Sequence, residues 1–196
     1  MCLIIEGCYP FVTGGVAQWI QMLMETLDDL SFSLLVISPD GREKEIRYSL
    51  PPNVSRVVEI PLEAEELLEP RGGTMPPRVW EAVEAFHNEM ASGDFSTFAE
   101  VVRYLRHPGR DGALSPKRVF EDKNSWEIIS RLNQTFERLV PFIEYIHSWR
   151  STHLPILRML RAEIPPARVY HTISTGYAGL LGAIAKIETG APRRPA

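Results

Sequence analysis

Two short stretches hold residue types and spacings suited to binding an anion. Near the start these are Tyr9, Thr13, Gly14, Gly15 and Val16, and near the other end His171, Ser174 and Thr175. Gly14 and Gly15 have no Cβ, so a ligand can approach the main chain closely, and the backbone N–H groups opening the helix that follows favour a phosphate. A pair of glycines is equally the signature of a plain tight turn. The spacing is not G-x-G-x-x-G, so the nicotinamide-type dinucleotide fingerprint is absent. His171, read at the carboxyl end of a strand, can hydrogen-bond a substrate hydroxyl or phosphate, or can stand as a buried neutral imidazole satisfied by a backbone carbonyl. Ser174 or Thr175 can cap the next helix by accepting from a backbone N–H.

These residues need a scaffold, and the surrounding pattern supplies one. Cys2-Leu3-Ile4-Ile5 is an unbroken apolar run, as expected of a strand buried on both faces. After the Pro/Gly-punctuated loop, Val16, Trp19, Ile20, Leu23, Leu27 and Leu30 recur at helical spacing and predict one apolar face. Phe32 to Ser38 reads as a second buried strand closed by Pro39-Asp40-Gly41, Ile46 to Leu50 as a short extended piece, and Val54 to Ile60 as a third strand before Pro61. Strand, helix, strand implies a parallel crossover. The chemistry then falls at the carboxyl ends of the strands, where open α/β sheets bind ligands.

From Glu63 to Gly73 the pattern dissolves into an acidic cluster, read as a solvated surface, and Pro70-Arg71-Gly72-Gly73. Residues 75 to 162 are helical in pattern. One helix starts at Pro76-Pro77. A second is capped by Asp94 and ended by His107-Pro108-Gly109. A third is capped by Asn124 or Ser125 and ended or kinked at Pro141, and a last one carries Leu157 and Leu160. Their aromatics fall on inward stripes and read as core. His87, His107, His147 and His153 have no i, i+4 partner, which argues against a zinc site. So long a block exceeds an ordinary crossover connection and predicts an inserted subdomain. Arg168 to Thr172 then restores the strand pattern, and Gly176, Gly179 and Gly182 thin one face of a final helix for close packing.

With 196 residues, 44% of them hydrophobic and 23% charged, the chain has the make-up of a globular protein. A net charge of −4 gives no basic surface for nucleic acid. No apolar run approaches the roughly 20 residues that cross a bilayer, and Glu6 interrupts the first apolar segment too early for a signal peptide. Cys2 reads as a small buried hydrophobe and Cys8 as a loop residue, both suited to a reducing cytoplasm.

Glu6-Gly7-Cys8-Tyr9-Pro10, followed by Gly14-Gly15-Val16 and Trp19, resembles the start of the PelF-type glycosyltransferases, a retaining two-domain GT-B class that helps build an exopolysaccharide. Val169-Tyr170-His171-Thr172-Ile173-Ser174-Thr175-Gly176-Tyr177-Ala178-Gly179-Leu180-Leu181-Gly182 is similar to that family's strand, turn and glycine-rich helix. The resemblance spans nearly the whole chain. It implies an α/β fold with a Rossmann-like parallel sheet (1–62 and 166–190) and a helical insertion (75–162) between strands three and four. It also implies an acceptor-side, N-terminal domain whose substrates are a nucleotide-sugar, a UDP-sugar such as UDP-glucose, and a glycan acceptor, with no resident cofactor or metal. A membrane polysaccharide synthase complex is the implied partner, and the cytoplasm, peripheral to the inner membrane, the implied location. By the same resemblance a donor-binding domain lies beyond residue 196 and this chain alone is inactive. Arg193-Arg194-Pro195-Ala196 is expected to make no buried strand. The competing expectation is a non-catalytic module that docks a membrane export assembly through the helical block.

Overall fold

The computed structural model describes residues 1–7, 9–63, 75–107, 116–136, 139–190 and 193–195, with the side chains of 116–118 and 193–195 outside that description. Cys8 and nearly all of the acidic cluster expected at Glu63 to Gly73 lie outside the described residues. The chain divides into two compact units, Met1–Glu65 with Ala162–Ala196, and Glu66–Arg161.

The first unit is a Rossmann-like α/β fold. Its five strands are β1 (Cys2–Glu6), β2 (Phe32–Asp40), β3 (Val54–Glu63), β4 (Tyr170–Thr172) and β5 (Arg193–Pro195). They lie in the order β3-β2-β1-β4-β5, every pair parallel. β1 is central, in register with β2 at Cys2↔Ser33 and with β4 at Cys2↔Tyr170. Cys2 to Ile5 are completely buried, as an apolar run without alternation requires of a strand covered on both faces. Successive strands lie on one side of β1 as far as β3 and on the other side from β4 onward. That reversal beside β1 is the topological switch point, where sheets of this class leave a crevice.

Helix α1 (Gly15–Thr26) covers one face. Ala17, Ile20 and Met24 meet Leu3, Ile5, Phe32, Leu34 and Val36 in one core cluster, with Leu23 and Leu27 packed against it. The face is rotated from the expected one: Val16 and Trp19 are exposed, and Leu30 lies beyond the helix end. Ala17 takes the buried place beside Ile20 and Met24, while Val16 and Trp19 fall on the solvent side. Asn53 Nδ2 donates to the carbonyls of Met24 and Leu27 at 2.9 and 3.2 Å, satisfying acceptors that a helix leaves unpaired at its end. Helix α7 (Tyr177–Thr189) packs on β1, β4 and β5, burying Gly179 and Gly182 along with Ala178, Leu181, Ile184 and Ala185. Gly179 and Gly182 are buried, but a Cβ on Gly179 would meet only Ser174 O at 3.8 Å, an ordinary contact, so that glycine is not demanded by close packing.

Further expectations need correction. Pro61 does not end β3 but pairs with Ser38, which an edge strand permits because one side of it needs no N–H donor. Residues 46 to 50 form no strand. Arg193 to Pro195, expected to leave the sheet short, form β5 on the other edge, where charges and proline are tolerated.

The second unit holds α2 (Pro77–Ala91), α3 (Phe98–Arg106), α4 (Pro116–Glu121), α5 (Lys123–Phe136) and α6 (Phe142–Arg161). These helices fall between β3 and β4, as expected of the insertion. Proline at the first position of α2 needs no N–H there. Asp94 does not cap α3. It accepts from Ser96 N at 2.9 Å, while Thr97 occupies the cap position and is held through its own N and Oγ1 by Glu89. Asp122, rather than Asn124 or Ser125, caps α5, its Oδ1 accepting from Asn124 N at 2.8 Å. Pro141 precedes α6 instead of ending a helix, and α6 carries Pro155 in its interior. Buried Trp149 before it and Leu157, Met159 and Leu160 after it hold the helix on both sides of the missing bond.

Candidate functional site

Two helix starts face the carboxyl edge of the sheet at the switch point, one after β1 and one after β4. Gly7, at φ 75, turns the chain out of β1 and donates to Ile37 O at 2.8 Å. Tyr9 and Pro10, joined by a cis peptide, return it to the core. Tyr9 is completely buried, and its hydroxyl donates to Gln21 Oε1 at 2.7 Å. Burial together with the nearby Glu25 pushes that phenol up to about 12. Tyr9 therefore anchors the loop and offers no surface to a ligand.

Beyond it Thr13, Gly14, Gly15 and Val16 are exposed. Gly14 is the N-cap, in an extended conformation open to any residue, and its carbonyl accepts the first helical bond from Gln18 N. No side chain caps this helix and its first turn carries no acidic residue. Open space lies where a Cβ would stand on either glycine. The Gly14 N–H has a single long contact, 3.4 Å, to the Tyr48 hydroxyl.

Tyr48 comes from the segment expected to be extended. That segment instead lies along the loop: Arg47 N donates to Pro10 O at 2.9 Å, the Tyr48 ring packs on Tyr9, and Lys44 stands over Phe11. Nothing in residue spacing points to Tyr48, because its contact with Gly14 spans 34 positions. Lys44 is committed to Asp40 and Glu59 at 3.1 and 2.8 Å.

The second helix start is filled. Gly176 is the N-cap of α7, and neither Ser174 nor Thr175 caps it. Ser174 Oγ instead donates to Glu6 Oε2 at 2.8 Å, and the same oxygen accepts a long bond from Ala178 N at 3.4 Å. A Cβ on Gly176 would stand 3.0 and 3.1 Å from the two Glu6 oxygens. The carboxylate at the end of β1 thus occupies the anion position that α7 offers. Glu6 was legible only as an interruption of an apolar run.

His171 lies in the middle of β4, in register with Leu3, and not at the strand's end. Its ring packs on Trp19, with centroids 6.2 Å apart. Nε2 is buried with no hydrogen-bond partner among the described residues, so the expected carbonyl partner is missing at that nitrogen. Desolvation holds its pKa below the ordinary value, favouring the neutral ring. Gly14, Gly15, Val16 and Thr13 are thus brought together at an open edge. Tyr9 supports them from beneath, Ser174 is engaged by Glu6, and His171 stands on the α1 face.

Among the described residues no three His, Cys, Asp or Glu side chains gather as metal ligands, and no helix is long and apolar enough to cross a membrane. Cys2 is buried, and burial pushes its thiol up to about 12.

The parallel sheet order and its flanking helices define the class of Rossmann-like α/β domains. Within that class residues 1–193 match the family described as Domain of unknown function DUF3492, and the chain belongs to that family. No curated protein and no solved structure matches it.

Proposed function

We propose that the chain is the acceptor-side domain of a retaining, nucleotide-sugar-dependent glycosyltransferase of the PelF type, acting in exopolysaccharide synthesis. The observation that carries this reading is the Gly14-Gly15 turn: an exposed, uncapped helix start at the switch point, with open space where a Cβ would stand on either glycine and only the long Tyr48 contact on the Gly14 amide. Backbone N–H groups there can stabilise the negative charge that grows on a departing diphosphate. Glu6 fills the neighbouring helix start, so one phosphate position is offered and it lies at α1. A second lobe, supplied by another domain or chain, would close over the nucleotide and complete the cleft.

Calorimetric titration of UDP, UDP-glucose and short oligosaccharides into the chain tests this. Binding of UDP or UDP-glucose is expected, weakened about tenfold or more by Gly14→Val or Gly15→Val, since a branched side chain blocks approach to the amides. Gly14 is extended and unobstructed, so Gly14→Val keeps the fold. Affinity unchanged in both variants would remove the turn from the site.

One observation favours a docking role for the helical unit alongside this. Leu139 is 99% exposed and Ile143 68%, and a separate hollow of the same unit is lined by Trp126 and Phe142. Leu139→Ser with Ile143→Ser should abolish capture of a membrane synthase partner if that surface docks it, and leave nucleotide binding unchanged.

A further inference from the structure

Two helices of the second unit bring together histidines that sequence spacing kept apart. His87 on α2 and His153 on α6 stand with their Nε2 atoms 3.0 Å apart. Each Nδ1 lies 2.7 Å from the carbonyl oxygen four residues earlier, Val83 for His87 and Trp149 for His153. The His153 ring stacks on Trp149 at 3.9 Å, which fixes its orientation.

A carbonyl oxygen only accepts, so each Nδ1 must carry a proton to make its bond. Two neutral imidazoles hold two ring protons, and both are then used. The two Nε2 atoms are left as lone pairs facing each other at hydrogen-bond distance. Turning either tautomer over moves the clash to a carbonyl. Three contacts need three protons, and the neutral pair has two.

What fills the gap is set by its size. The ring centroids are 5.2 Å apart while the nitrogens are 3.0 Å apart, so the rings meet tip to tip rather than face to face. The midpoint of that gap lies well inside the about 2.0–2.1 Å that a zinc–imidazole bond requires. A proton fits there. We propose that His87 and His153 form a proton-binding site in which one proton from solvent is held between the two Nε2 atoms, so that the pair titrates as a unit and ties α2 to α6.

The neighbours neither supply nor oppose that charge. On α2, Glu84 is paired with Arg131 of α5, and Glu89 accepts from Ser96 and Thr97. On α3, Arg106 donates to Leu160 O, and Glu100 and Arg103 lie in its first and last turns. On α6, Arg150 stands over Phe120 of α4. Among the described residues no carboxylate, guanidinium or ammonium group shifts either ring. Desolvation lowers both, and charge on His87 lowers His153 further, to about 4, so a second proton is resisted far into acid.

The test is an NMR titration of the whole chain with ¹⁵N-labelled histidine, from pH 8 to pH 4, the two rings being assigned with His87→Gln and His153→Gln. The expected result is one shared step: both rings move together, both Nδ1 atoms stay protonated, and no second step comes before about pH 4. In His153→Leu, which removes the acceptor, His87 should bind its proton about tenfold or more weakly, the loss of a charged hydrogen bond. Independent titration of the two rings overturns the proposal. So does an absence of any titration while the chain is folded. Equimolar zinc that shifts both Nε2 signals at pH 7.5 would assign the gap to a metal and overturn it too. Should His153→Leu fail to fold, the unmodified chain decides alone.

Discussion

Glu6 and Gly14 stand at neighbouring helix starts, and only the one at Gly14 is open. At α7 the Glu6 carboxylate receives the Ser174 hydroxyl and the Ala178 amide, and its charge sits at the positive end of the helix. Removing it leaves both donors without that acceptor. Glu6→Ala should therefore destabilise the fold by about 1–2 kcal/mol, and Glu6→Gln, which keeps an acceptor but loses the charge, by less. Gly176→Ala tests the same contact from the other side. Its methyl would press on the Glu6 oxygens, the mobile end of a side chain, so a cost of about 1 kcal/mol is expected as the carboxylate yields. Urea unfolding measures all three, and an unchanged midpoint in Glu6→Ala would show that the carboxylate does not cap α7.

At the scale of elements the junction before α5 depends on Asp122. This side chain is 4% exposed; one oxygen caps the helix at Asn124 N, and the other accepts from Met75 N at 2.8 Å, 47 residues away. Asp122→Ala removes a cap and strands a buried N–H, for an expected loss of about 2–4 kcal/mol. Asp122→Asn keeps one acceptor and should lose roughly half of that. Equal midpoints for the two variants would mean that the contact asparagine keeps contributes nothing. Asp122 also shows where sequence reading stops. The helix start was legible from the polar residues before an apolar stripe, but Asn124 and Ser125 fit the rule as well as Asp122 does, and the folded contacts of Asp122 with Asn124 N and Met75 N separate them. β1 and β2 were legible because an unbroken apolar run has few other uses. The α1 stripe was legible in part: Ile20, Leu23 and Leu27 face the core as expected, whereas small Ala17 is buried and Val16 and Trp19 are exposed. Tyr48 beside Gly14, Glu6 beneath Ser174 and His87 against His153 are pairings across 34, 168 and 66 positions, which no local period encodes. In the candidate site, accordingly, the glycine turn could be read in advance and the side chains around it could not.

For the whole molecule the buried histidines set the response to acid. His87, His153 and His171 all have folded-state pKa values below the ordinary 6.5, in each case mainly from desolvation. The unfolded chain then binds more protons than the folded one below that value, so stability is fully present above about pH 6.5 and falls as pH drops through the window toward 4. His153, lowered to about 4, contributes on the order of 3 kcal/mol to this loss by pH 4. Glu84, whose carboxyl is held below its ordinary 4.5 by Arg131, adds to the decline only below that pH. Two stages are therefore expected in urea-derived stability against pH, a histidine stage starting near neutrality and a carboxylate stage beginning below pH 4.5. A proton shared between His87 and His153 makes the histidine stage shallower, because the folded pair then takes up one of the two protons that the unfolded pair binds. His87→Leu with His153→Leu should flatten most of that stage and leave the carboxylate stage in place. A profile already flat between pH 7 and pH 5 in the unmodified chain would mean that these rings meet water freely, and that the burial assigned to them is wrong.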